Sequence, residues 1–267
     1  DSCCISVTYC IVFCTVLFLS SCAKRERVSI KKVEHVYISS NNALNTFQIL
    51  TEQFGLPVVW DYQNFGSFSS GGVTLGNVVL ELIGRESIQN LTYYGIALEP
   101  NQSLKRTKSY LDSVNISHGR ISRAAEWSTM SLTNLLPDNI NLFLCDYHDR
   151  EFIALDRKRA VDKLLVNNGG VLGVQFLKEI VIGVEEPVEF ENELAKIPGV
   201  VKSGNEFHFS EGPNLKFIRS DTLSLALLIK VKSMNKAKLA LEAIGLKTKN
   251  MEQGIELIDE IFAKSIT

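Results

Sequence analysis

The sequence predicts an α+β fold in which repeated βαβββ units pair into curved mixed sheets with helices outside. Three observations predict it. A strand–helix–turn pattern recurs four times, a glycine follows three of those strands at a near-constant offset, and further apolar strands lie between the recurrences. The first copy starts at His35-Val36-Tyr37-Ile38-Ser39, which alternates like a half-buried strand. A helix follows from about Asn42, with Ala43, Leu44, Phe47, Leu50 and Phe54 assigned to one face. Asn41 suits its N-cap, and Gly55 and Pro57 its stop. The second copy runs from Gly95-Ile96-Ala97-Leu98 into a helix over Leu104, Leu111 and Val114. The third runs from Ile180–Val184 through Phe190, Leu194 and Ile197 to Pro198-Gly199, and the fourth from Leu225–Ile229 through Leu239, Leu241 and Ile244 to Gly245. The offset of about twenty residues fits a strand of five, a short link and a three-turn helix.

Further strands complete each unit. Gly71 to Asn77 reads as a turn and a strand edge, and Val78 to Ile83 as a strand with Val79, Glu81 and Ile83 on one face. Trp127–Leu132 and Leu142–Tyr147 play the same parts in the second unit. A helix from Asp156 to Val166, closed by Asn167-Asn168-Gly169-Gly170, reads as a connector. The expected organisation is a leader at 1–29, a βαβββ pair at 30–152, a connector at 153–169 and a divergent second half at 170–267.

The leader stands apart in composition. Five of the six cysteines lie within it, so no disulfide framework forms in the main body. The run from Cys3 to Cys22 is apolar and uncharged, and its end, Leu19-Ser20-Ser21-Cys22, resembles a bacterial lipobox with Cys22 as the acylated residue. Two readings stand: a membrane-anchored lipoprotein, or added residues ahead of a cytoplasmic protein beginning near Ile30. Lys24, Arg25, Arg27, Lys31 and Lys32 read as a solvated tether, so a membrane enters only through the leader. With 28 Lys and Arg against 30 acidic residues, electrostatics supply no reason to expect nucleic acid. There is no phosphate-cradling loop, nucleophile elbow, HExxH or CxxC.

The stretch HVYISSNNALNTFQILTEQFGLPVVWDY followed by GGVTLGNVVLELI resembles the vicinal oxygen chelate superfamily of glyoxalases, extradiol dioxygenases and bleomycin-resistance proteins. The cues are a His-led first strand, a helix ending in FGLP and a later strand of form GNxxLEL. The resemblance runs from His35 to about Tyr147 and continues by periodicity from Gly170. In metal-using members the first and fourth strands of each unit supply imidazole and carboxylate ligands. The resemblance thus implies His35 and Glu81 as ligands of a divalent Zn, Fe, Ni or Mn ion, with Glu81 also a proton shuttle. The second unit departs from the pattern: Gly95 stands where the imidazole belongs, and Cys145 aligns with Glu81 as a candidate thiolate ligand for a soft metal, Asp146 being one residue off.

Tyr37, Trp60, Tyr93, Tyr94, Trp127 and Tyr147 are candidate linings of a small-molecule pocket, against the plainer role of strand aromatics as core. A His35–Glu81 hydrogen bond without metal, and Cys145 as a small core residue, are the plainer readings of those three. His118 and His148 are expected to be exposed, and His208 to face a second cavity. Two functional classes follow from the resemblance. One is a metal-assisted isomerase, lyase or dioxygenase; the other is a metal-free protein that binds or sequesters a small organic molecule. The second half is expected to hold a second site or to serve packing and a homodimer.

Overall fold

The structure, a computed structural model, describes residues 28–85, 93–245, 248–251 and 254–257; the side chains of Tyr93 and of 248–257, and the leader with Cys22, lie outside that description. The first unit is β1 (Ile30–Ser40), α1 (Ala43–Gln48, running on into a π turn over Ile49–Gln53), β2 (Val58–Asn64), β3 (Ser69–Thr74) and β4 (Val79–Gly84). The second is β5 (Tyr93–Pro100), α2 (Leu104–Ser113), β6 (Ser122–Arg123), β7 (Trp127–Leu132) and β8 (Ile140–Tyr147). They form one curled sheet ordered β2-β3-β4-β1-β5-β8-β7-β6. Within each unit the first strand pairs parallel with the last, β1 with β4 and β5 with β8, and the units join through the antiparallel pair β1–β5.

The connector α3 (Arg150–Val166) begins at Asp149, whose side chain accepts from Phe152 N at 2.9 Å, and ends where Asn168, Gly169 and Gly170 take positive φ. Beyond it come β9 (Val174–Val184), α4 (Pro187–Leu194), β10 (Val201–Ser203), β11 (Glu206–His208), β12 (Asn214–Arg219), β13 (Ser224–Val231) and α5 (Met234–Ala243), followed by the hairpin β14 (Thr248–Met251) and β15 (Gly254–Leu257). Their sheet, β10-β11-β12-β9-β13, repeats the order of β2-β3-β4-β1-β5 with the same parallel and antiparallel pairings. The α+β architecture of repeated βαβββ units is therefore present in both halves.

The halves pack directly. The Asn77 amide bonds both backbone groups of Leu177 at 3.0 Å, and Ile30 N donates to Pro198 O at 2.7 Å. Gly76 adopts a φ of 91°, and a Cβ there would run into Gln175 O, so only glycine lets β9 approach.

Local differences from the sequence expectations have physical causes. Gly71 and Gly72 lie inside β3 and not in a turn: the Phe47 and Trp60 rings fill the space their side chains would need. Ala43, Phe47, Leu50 and Phe54 are buried, whereas Leu44 is 48% exposed because it falls off that stripe. Lys31 and Lys32 belong to β1, paired with Glu211 and Glu99 at 3.3 Å, and not to a tether. Among the described residues no helix is long and apolar enough to cross a membrane.

Candidate functional site

Strand pairing brings the site together. Tyr37 lies between Glu81 of β4 and Gly95 of β5, and His35 between Val79 and Ala97. Period two then places His35, Tyr37, Glu81 and Gly95 on one inner face, opposite the face that packs α1 through Phe47. A register shift between Val33 and His35 inserts Glu34 as an extra residue in β1, so neighbouring residues join a single polar cluster.

That cluster is a continuous line. The Arg157 guanidinium, delivered by α3, pairs with Glu34 Oε1, and Glu34 Oε2 meets His35 Nδ1. Tyr147 OH donates to Glu34 at 3.3 Å, accepts from Arg157 Nη2 at 3.1 Å, and carries the guanidinium 5.1 Å above its ring. On the far side His35 Nε2 lies 3.4 Å from Glu81 Oε2, Ser70 Oγ donates to Glu81 Oε1 at 2.5 Å, and Trp60 Nε1 donates to Ser70 at 3.2 Å. The Glu34 side chain is fully buried, and those of His35, Glu81 and Arg157 are nearly so.

Burial pulls the His35 imidazole below its ordinary 6.5 against the opposing pull of Glu81, so the ring is neutral at pH 7. A neutral ring carries one N–H, and with it on Nδ1 toward Glu34 the Nε2 lone pair faces a second acceptor, Glu81 Oε2. In that tautomer the two acceptors, 3.4 Å apart, lack a hydrogen between them. Burial also lowers Arg157 to about 10, which still leaves it charged at neutral pH and opposite Glu34.

The second unit is built differently. The Tyr37 ring lies across Gly95, where any Cβ would overlap it, so the position of a second imidazole is filled by a phenol. Burial raises the Tyr37 hydroxyl, eased by a hydrogen bond with Asn141. Cys145 is 2% exposed, and burial pushes its thiol up to about 12, so it stays protonated. The Tyr147 phenol is also raised well above 10, first by burial. His35 and Glu81 thus meet as two potential metal ligands without a third from the second unit. Among the described residues no three His, Cys, Asp or Glu side chains converge as a metal-ligand group, so the residues present do not complete a divalent-ion site.

Of the aromatic candidates, Trp60 lies over Gly72 and Tyr147 is held by Arg157, while half-buried Trp127 of β7, one strand in from the far edge, stands edge-on to Phe65, centroids 6.4 Å apart. Tyr94 is partly buried against the core. His118 is not exposed: its side chain is 9% accessible and bonds Asp112 at 2.9 Å. His148 is exposed and bonded to Ser128 and Ala125, and His208 lies 3.8 Å from Glu206. Glu34, Ser70 and Arg157 escaped the sequence reading. Arg157 had a signal, since it shares a helical stripe with Ile153, Ala160, Val161 and Leu164.

Beside the line, between α3 and β1–β4, lies a cavity of about 310 Å³ whose walls include Lys32, Glu34, Val79, Arg157, Lys158 and Val161.

The sequence matches no family model, and no curated protein matches it. Solved structures match the fold. A hypothetical protein from Staphylococcus aureus is similar over 85% of this chain and 98% of its own, with a TM-score of 0.55 and 11% identity. A variant of homoprotocatechuate 2,3-dioxygenase from Brevibacterium fuscum, solved with HPCA, is similar over 81% of this chain, with a TM-score of 0.51 and 9% identity. An extradiol ring-cleaving dioxygenase from the same organism matches with a TM-score of 0.51 and 8% identity. The region of likeness covers about 61% of the dioxygenase chain solved with HPCA. The chain shares its fold with these dioxygenases, which is consistent with the vicinal oxygen chelate-like fold that the sequence resemblance implied.

Proposed function

We propose that this chain binds a small organic molecule on the inner face of its eight-stranded sheet and engages a hydroxyl or amino hydrogen of it through His35 Nε2 and Glu81 Oε2. The facing pair of acceptors carries the reading: 3.4 Å apart and largely shielded from water, they are satisfied by one shared donor hydrogen. Glu34 fixes the imidazole with Nε2 as the free nitrogen, Ser70 and Trp60 fix Glu81, and the Tyr37 and Phe143 rings supply apolar contact nearby. If the bound molecule reacts, His35 and Glu81 take and return its proton, which keeps Glu81 as the proton shuttle. The fold's dioxygenase neighbours, one of them solved with HPCA, support small-molecule binding on such a sheet. The donor set supports binding without a metal completed by this chain.

Elemental analysis and native mass spectrometry of the purified chain, beside a His35→Gln, Glu81→Gln double variant, test this. The expected result is no stoichiometric transition metal in either protein and a small organic adduct retained by the wild type alone. About one equivalent of metal lost in the variant would replace the reading with metal-assisted chemistry. Adducts retained equally, or by neither protein, would remove it.

A further inference from the structure

The cavity under α3 has a composition that the facing pair of acceptors does not use. Three cationic side chains, Lys32, Arg157 and Lys158, line it against the single carboxylate of Glu34. The partners of the two lysines, Glu99 and Asp162, stand outside the lining. Arg157 is bound through both terminal nitrogens, Nη1 to Glu34 and Nη2 to Tyr147, yet its buried Nε has no hydrogen-bond partner among the described residues. The rest of the wall is mostly apolar, with Val59, Val79, Ala154 and Val161 beside the polar Thr74 and Asn77. The volume of about 310 Å³ sits at the small end of ligand pockets, which span about 300–1,000 Å³.

We infer that this cavity is a binding site for a small organic carboxylate, whose charged end lies among Lys32, Arg157 and Lys158 while its apolar body lies against Val79 and Val161. This rests on the reading that the inner face of the sheet binds small molecules, and it adds the chemical class: an anionic head on an apolar body. Because α3 supplies Arg157 and Lys158, the connector helix forms one wall of the site and sets its specificity.

The probes are benzoate and, as its uncharged counterpart, benzyl alcohol, titrated calorimetrically into the full chain. Benzoate is expected to bind saturably and benzyl alcohol at least about tenfold more weakly, the scale of one charge-assisted hydrogen bond. Lys158→Glu changes an exposed side chain that the fold does not need, and is expected to weaken benzoate without altering the melting temperature. Arg157→Gln combined with Glu34→Gln removes both buried charges together and is expected to abolish the preference for benzoate over the alcohol. Equal binding of the two probes, no saturable benzoate binding, or benzoate binding indifferent to both variants would overturn the inference. If benzoate fails while the wild type still retains an organic adduct that the His35→Gln, Glu81→Gln variant loses, only the carboxylate assignment falls.

Discussion

Replacing Arg157 with alanine tests whether the line of charges holds the inner face together. The Glu34 side chain is fully buried and that of Arg157 is 14% exposed, so removing the guanidinium strands a carboxylate in a dry site. Breaking a buried pair in this way costs about 3–5 kcal/mol. At about 2–4 °C per kcal/mol for a domain of this size, the melting temperature should fall by roughly 6–20 °C. The loss should be largest at alkaline pH and shrink on acidification, because protonation relieves the stranded Glu34. The Arg157→Ala, Glu34→Gln double variant should recover most of it, since neither charge is then left alone. Urea denaturation at pH 5 and pH 8 for the four corners of the cycle is the assay. A single-variant cost below about 1 kcal/mol, typical of an exposed pair, would refute the reasoning, as would a double variant equal to the sum of the singles.

Three further outcomes are expected. Gly95→Ala should cost about 1–3 kcal/mol in thermal denaturation, because its methyl must displace the Tyr37 ring; an unchanged midpoint would mean that the ring does not lie there. Cys145, mapped by mass spectrometry after iodoacetamide at pH 8, should stay unmodified in the native chain and react fully in urea, given its burial and a thiol near 12. Native alkylation would contradict its placement. His35 titrates below 6.5 in the folded state and near 6.5 when unfolded, so the unfolded chain binds more protons in that interval and stability falls as pH drops through it. Glu34 and Glu81 both face the ring and are kept in the comparison, so His35→Gln should flatten this part of the stability profile; an unchanged profile would assign it to other groups.

Much of the fold was legible because strand and helix periods are local. The alternation around His35 to Ser39, the FGLP stop and the strand holding Glu81 locate β1, α1 and β4 within a residue or a few, although β1 extends back to Ile30. The meeting of His35 and Glu81 also followed from local facts: both lie on inward positions of strands that pair parallel. What stayed hidden depends on contacts remote in sequence. Arg157 reaches Glu34 only because α3 folds back over the sheet, and no spacing rule links residues so far apart. Glu34 joins the cluster through a bulge, which breaks the alternation that sequence reading relies on. Gly95 reads as a missing ligand, whereas the structure shows the Tyr37 ring using the space that its absent side chain leaves. Glycines in β3 read as a turn for the same reason: sequence shows that a side chain is missing, not which neighbour occupies its place.

The most direct test of the facing acceptors is the ¹⁵N NMR spectrum of the His35 ring in the purified chain at pH 7, assigned by comparison with His35→Gln. A ring protonated at Nδ1 and bare at Nε2, unchanged by a chelator, is the result the account requires. A ring protonated at both nitrogens, or an Nε2 signal that a chelator shifts, would contradict it, the first by making His35 a donor to Glu81 and the second by placing a metal between them.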